Sequence, residues 1–154
     1  MELRLNLESD TVEEMHASAP VCVAVETSVR DVLQLLKDDK TGGALVLEKG
    51  KLVGIFTERD ALKLMAGGGR LDVPIRDVMI TQPVSVKVGD SVASAIRKMS
   101  HGGYRRLPMV DGEGRPAGTV KASSILRYLV EHFPQSVYNL PPAPDNVNKD
   151  REGA

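Results

Sequence analysis

The stretch Pro20 to Val29, PVCVAVETSV, lies over Pro83 to Val92, PVSVKVGDSV, at an offset of 63 residues and with six identities in ten positions. A match that dense in so short a window marks an internal duplication. Each copy opens with valines at alternate positions, Val21, Val23 and Val25 in one and Val84, Val86 and Val88 in the other. That period places them on one face of a half-buried strand. Helix caps follow, Thr27-Ser28 and Asp90-Ser91, and then apolar residues at helical spacing: Val29, Val32, Leu33 and Leu36, matched by Val92, Ala95, Ile96 and Met99. Glycine pairs, Gly42-Gly43 and Gly102-Gly103, are the expected helix stops.

Beyond the glycines, each copy reads as two strands joined by a polar turn: ALVLEKGKLVGIF (Ala44 to Phe56) and LPMVDGEGRPAGTV (Leu107 to Val120). Glu48-Lys49-Gly50 and Asp111-Gly112-Glu113-Gly114 supply hairpin-turn chemistry. One extra residue in the second turn shifts the offset to 64, so Gly54 matches Gly118. A second helix closes each unit, Ala61 to Ala66 and Ile125 to Glu131. Gly67-Gly68-Gly69-Arg70 reads as a flexible join, and VPIRDVM (Val73 to Met79) restates TVEEM (Thr11 to Met15) as a short lead-in to each repeat. After Phe133-Pro134 the periodicity fades, and PPAPDNVNKDREGA (Pro141 to Ala154) has the composition of a disordered tail.

With 154 residues, 42% hydrophobic and 27% charged but only five aromatic, the chain reads as a soluble globule with an aliphatic core. Twenty basic residues against 21 acidic ones leave no overall field to draw nucleic acid or an anionic membrane. The single cysteine, Cys22, cannot form an internal disulfide, and its place in an alternating apolar run predicts a buried thiol in a reducing compartment. No basic-then-apolar leader and no run of membrane-spanning length is present, so the expected location is the cytoplasm. A strand-helix-strand-strand-helix unit cannot bury both faces of its sheet alone. Two in tandem can pack sheet to sheet, with pseudo-twofold symmetry and a pair of related clefts between them.

This layout resembles a pair of CBS domains, the Bateman module, over Thr11 to about Phe133. The resemblance implies an α+β fold of two pseudo-twofold-related β-α-β-β-α repeats packed sheet to sheet. Residues 11–69 form the first, 70–134 the second, and 135–154 an extended or disordered tail. It further implies a regulatory module without catalytic activity that binds an adenine nucleotide (AMP, ADP or ATP) or a related adenosyl ligand in a cleft between the repeats. Members of the family commonly dimerise into a flat disc.

Within GIFTERD (Gly54 to Asp60), Thr57 and Asp60 have the spacing of a capping box ahead of an apolar helix. In the family the same stretch holds a ribose, whose vicinal hydroxyls an ionised carboxylate can accept. Capping and ribose binding are compatible for Thr57; Asp60 is the residue over which they compete. Arg105 and Arg106, just before Leu107-Pro108, are either solvated rim charges or, as the resemblance implies, the group that meets the phosphate of a ligand whose ribose sits on the other repeat's aspartate. The two copies differ at these places. Thr57 and Asp60 become Lys121 and Ser124, while Arg105 and Arg106 match Gly42 and Gly43. One cleft therefore has both the acid and the bases and the other has neither, so one competent and one degenerate site are expected, with Lys121 able to meet a phosphate in the second cleft.

Histidines 16, 101 and 132 have no metal-ligand neighbours at suitable spacing, and His101 beside Gly102 reads as a helix C-terminal residue. Neither a P-loop, a GxGxxG nor a nucleophile elbow occurs, so no catalytic residue and no required cofactor are expected; magnesium would arrive with ATP, held by its phosphates. The second helices are apolar on more than one face, at Ala61, Leu62, Leu64 and Met65 and at Ile125, Leu126, Leu129 and Val130, which predicts a homodimer through them. With no catalytic or transport domain attached, the effector is expected to be a separate protein. The competing readings are an interaction module without ligand, an S-adenosylmethionine-binding module, and a phosphohydrolase using the same cleft.

Overall fold

A computed structural model describes residues 7–15, 17–39 and 42–132. The expected tail beyond residue 132 lies outside the described residues, as do His16 and the side chain of His132. The elements run β1 (Val21–Ala24), α1 (Val29–Asp39), β2 (Gly43–Glu48), β3 (Lys51–Thr57), α2 (Glu58–Ala66), β4 (Ile80–Thr81), β5 (Val86–Lys87), α3 (Val92–Gly102), β6 (Arg106–Val110), β7 (Pro116–Lys121) and α4 (Ala122–His132), with 3-10 turns at Val12–Glu14 and Ile75–Asp77. Two sheets result, ordered β1-β2-β3-β4 and β5-β6-β7. In each, the first strand runs parallel to the second and the rest is antiparallel.

The duplication is visible in the local chemistry. Ser28 Oγ accepts the Asp31 amide at 3.1 Å and Ser91 Oγ the Ser94 amide at 3.0 Å, so both first helices begin on a serine cap. The hairpins turn by different means. Lys49 and Gly50 both have positive φ, 54° and 79°, the two-residue turn that matches strand twist and that glycine makes inexpensive. Asp111 Oδ1 instead accepts the amides of Glu113 and Arg115 at 2.8 and 3.0 Å. Those hydrogen bonds, to Arg115 first and then Glu113, hold the Asp111 carboxyl below the usual carboxylate range.

Each sheet carries its helices on one face. Val23, Val29, Val32, Leu36, Ala44, Val46, Phe56, Ala61 and Ile75 form one core, and a second core gathers around Val86, Val92, Leu107, Met109, Val120 and Ile125. Each fully buried side chain of this size stabilises the fold by about 1.5–3 kcal/mol. Leu45, Pro108 and Val110 are also buried, yet they alternate with the core residues of β2 and β6 and so lie on the opposite sheet faces. Their burial, and a hydrogen bond of 3.0 Å from the Leu52 amide to the Gly114 carbonyl between the two hairpins, mark the face where sheet meets sheet.

Several expectations are corrected. The first sheet has four strands, because Ile80 and Thr81 pair with Ile55 and Gly54. The lead-ins cross over: Val12 and Met15 pack in the second core and Ile75 in the first. Carbonyls at or just before the lead-ins satisfy helix-start amides that have no partner within their own helix. Val29 N donates to Val73 O at 3.0 Å, Arg30 N to Leu71 O at 2.9 Å and Val92 N to Asp10 O at 2.8 Å.

The strand expected from Val84 is reduced to Val86–Lys87, which pair with Met109 and Val110, and the Ser85 carbonyl just before it accepts from the Lys98 ammonium at 2.8 Å. Helix α1 is described to Asp39 and its stop before Gly42 falls on residues 40–41, outside the described residues, while α3 stops on Gly103 as expected. The second helices begin earlier than expected, at Glu58 and Ala122. Gly67 to Gly69 is no loose join: Gly68 N donates to Met65 O at 3.1 Å and Gly69 N to Leu64 O at 2.9 Å, closing α2 with a Schellman motif. Cys22 is exposed rather than buried, since β1 turns Val23 into the core and Cys22 to the other face; partial shielding by the chain still pushes its thiol pKa up.

Candidate functional site

Thr57 ends β3 and caps α2, and Asp60 sits one turn along. Thr57 Oγ1 accepts the Asp60 amide at 3.3 Å, while Asp60 Oδ2 accepts the Thr57 amide and hydroxyl, both at 2.9 Å. The box is therefore closed in both directions. Every one of these contacts on the carboxylate falls on Oδ2. Oδ1 is left for another donor, so a cap and a ligand contact are compatible on Asp60 as well.

Arg106 opens β6 from the other repeat, and its guanidinium lies against Gly42: a Cβ at Gly42 would collide with it. Gly42, at φ 79°, meets α2 directly, since its carbonyl accepts the Glu58 amide at 3.0 Å, and its neighbour Gly43 stands opposite Thr57 in the β2–β3 ladder. The cationic strand start of one repeat and the acidic helix start of the other thus meet at a single glycine. Arg105 is exposed and precedes the strand, with its carbonyl accepting the Ala122 amide at 2.9 Å. Lys121 stands directly opposite Arg106 in the β6–β7 ladder, next to the start of α4, and Ser124 lies in the first turn of that helix.

Three cations without an ion pair gather at this place, although others elsewhere on the surface, such as Lys49, Lys51 and Arg127, also form none among the described residues. Arg70, Arg76, Arg97, Lys98 and Arg115 each pair with a carboxylate. Arg105, Arg106 and Lys121 form no ion pair among the described residues. Among the described residues no group of histidine, cysteine, aspartate and glutamate could hold a metal ion.

The sequence reading missed Tyr104. A groove of about 520 Å³ is lined by five residues of α3, Ser94, Arg97, Lys98, His101 and Gly102, together with Val84 and Tyr104. The tyrosine packs its ring over Gly102 and leaves 42% of its surface exposed, beside Val84 at 41%. None of the six residues singled out from sequence lines this groove. It joins their site only through Tyr104, the residue before Arg105. The signal in the sequence was slight, a tyrosine directly before the Arg105-Arg106 pair.

The CBS domain model matches residues 12–67 and 75–131, one match per repeat. The chain belongs to the CBS domain family. A CBS domain-containing protein of Bacillus subtilis, YhcV, is 31% identical over 102 residues, covering 66% of this chain and 73% of that protein. The crystal structure of CBSX2 in complex with AMP superposes with a TM-score of 0.71 at 26% identity, over 80% of this chain and 98% of that one. The CBS domain pair of protein MJ0100, in complex with 5-methylthioadenosine and S-adenosyl-L-methionine, has the same fold, with a TM-score of 0.70 at 23% identity over 79% of this chain and 97% of that one.

Proposed function

We propose that this CBS pair is a non-catalytic sensor that binds one adenine nucleotide where the two repeats meet. The observation that carries this reading is the junction at Gly42, where the unpaired Arg106 of one repeat reaches the Thr57–Asp60 helix start of the other. Asp60 Oδ1 accepts from the ribose hydroxyls beside Thr57, and Arg105 and Arg106 meet the phosphate. Tyr104 and Val84 give the base an apolar face next to Arg105. AMP bound to CBSX2 supports an adenosine ligand. S-adenosylmethionine, present in the MJ0100 structure, remains the second reading; the three unpaired cations favour a phosphate over a sulfonium. The second helix start, with Lys121 and Ser124 in place of Thr57 and Asp60, lacks a ribose acceptor, so one ligand per chain is expected.

The protein acts as a cytoplasmic homodimer on a separate effector protein. Leu62 and Leu126 are 66% and 64% exposed, and with Met65 and Val130 they leave an apolar strip on each second helix that a second copy would cover. Among the described residues no helix is long and apolar enough to cross a membrane.

Calorimetric titration of AMP, ADP, ATP and S-adenosylmethionine tests the ligand reading. Nucleotide affinity on the order of −4 to −8 kcal/mol, weakened by about tenfold or more in Asp60→Asn and Arg106→Gln, is the expected result. Absence of binding by the wild-type protein would favour an interaction module, and turnover abolished by a site variant would make the protein an enzyme.

A further inference from the structure

Register partners in an antiparallel ladder share a sheet face, so Arg106 and Lys121 project side by side with Cβ atoms about 5 Å apart. Like charges so placed repel, and neither is relieved by an ion pair among the described residues. The Arg105 carbonyl accepts the Ala122 amide at 2.9 Å, which ties the backbone just before Arg106 to the turn from β7 into α4. The acidic groups that approach from the opposite repeat, Glu58 and Asp60, form no ion pair with them, and Asp60 Oδ2 is engaged by Thr57. The equivalent rung of the first repeat, Gly43 opposite Thr57, carries no charge. Equivalence with Thr57 assigns Lys121 to the second cleft, whereas the ladder places it with Arg106.

Resting on the nucleotide reading above, we propose that Lys121 completes the phosphate end of that same site and sets its preference for a nucleoside di- or triphosphate over a monophosphate. A terminal phosphate carries about −1.5 to −2 charges at neutral pH, which the arginine pair matches; each further phosphate adds a charge, and Lys121 is the cation that shares the rung of Arg106.

The test titrates wild type, Lys121→Gln and Lys121→Arg with AMP, ATP and inorganic tripolyphosphate at one ionic strength. The wild type binds ATP about tenfold more tightly than AMP; Lys121→Gln loses about tenfold for ATP and tripolyphosphate and less than about twofold for AMP, and Lys121→Arg restores the difference. Equal losses for AMP and ATP, or no loss for either, overturn the proposal. Tripolyphosphate binding that depends on Lys121 while no nucleotide binds would keep the cationic cluster and reject the nucleotide reading. If tripolyphosphate does not bind either, both fall.

Discussion

Replacing Asp60 by asparagine separates the two duties of this residue. The carboxylate gives all its internal contacts through Oδ2, to the Thr57 amide and hydroxyl at 2.9 Å each. An asparagine oxygen can take over both, so the cap survives. What is lost for the fold is a negative charge in the first turn of α2, about 0.3–1 kcal/mol, or roughly 1–4 °C in melting temperature for a chain of this size. The loss for a ligand is larger. With the amide oxygen held by Thr57, the amide nitrogen occupies the Oδ1 position, and an acceptor for ribose hydroxyls becomes a donor. A hydrogen bond to a charged acceptor is worth about 1.5–3 kcal/mol, so nucleotide affinity drops by about ten- to a hundredfold. Thermal melting and calorimetry on the same preparation read both effects. Affinity within about twofold of wild type, alongside the small melting shift, would show that the carboxylate serves only as a cap and refute the ribose assignment.

Gly42→Ala places a Cβ at φ 79° and against the Arg106 guanidinium. It costs about 1–2 kcal/mol of stability and also weakens nucleotide binding, so unchanged calorimetry would show that Arg106 needs no seat on Gly42. Leu62→Asp combined with Leu126→Asp puts charges into both exposed apolar strips and should convert the proposed dimer to monomers in sedimentation equilibrium; a wild-type monomer, or a dimer that persists in the variant, would refute an interface through these helices. The depressed Asp111 carboxyl stabilises the second hairpin fully above its unfolded value near pH 4, and that support is lost as pH falls through the lower folded value. Asp111→Ala should therefore melt lower than wild type at neutral pH and flatten the acid limb of the stability curve; an unchanged acid limb would show that the turn does not depend on that charge.

The repeat, the hairpins and the serine caps were legible because each is coded within a dozen residues by period, cap and turn chemistry. The crossing of the lead-ins was not: TVEEM and VPIRDVM show that two segments correspond, but nothing in either says which core takes Val12 and which takes Ile75. The shortness of β5 was not legible either, because alternating valines from Val84 carry no sign that pairing with β6 begins only at Val86. Alternation gave Cys22 two possible faces, and the prediction chose the wrong one. At the site, residue types and their copy-to-copy differences were readable, but the placement of Lys121 was not: counting outward from Val110 opposite Pro116 would set Arg106 against Val120, and only the register shift between Met109 and Val110 brings Arg106 and Lys121 onto one rung. Tyr104 stayed hidden because an aromatic beside glycines carries no periodic signal.

The crossed lead-ins also bear on how such a chain reaches its folded form and how it can be divided. Each half carries the segment that finishes the other half's helix start and sheet edge, with Ser18 bonded to Thr119 in one direction and Thr81 paired to Gly54 in the other. A backbone cleavage at Gly68 would therefore yield two fragments that are each incomplete alone and complementary together, like clasped hands. The duplicated unit is written consecutively in the gene, but the smallest piece able to stand by itself is the interlocked pair.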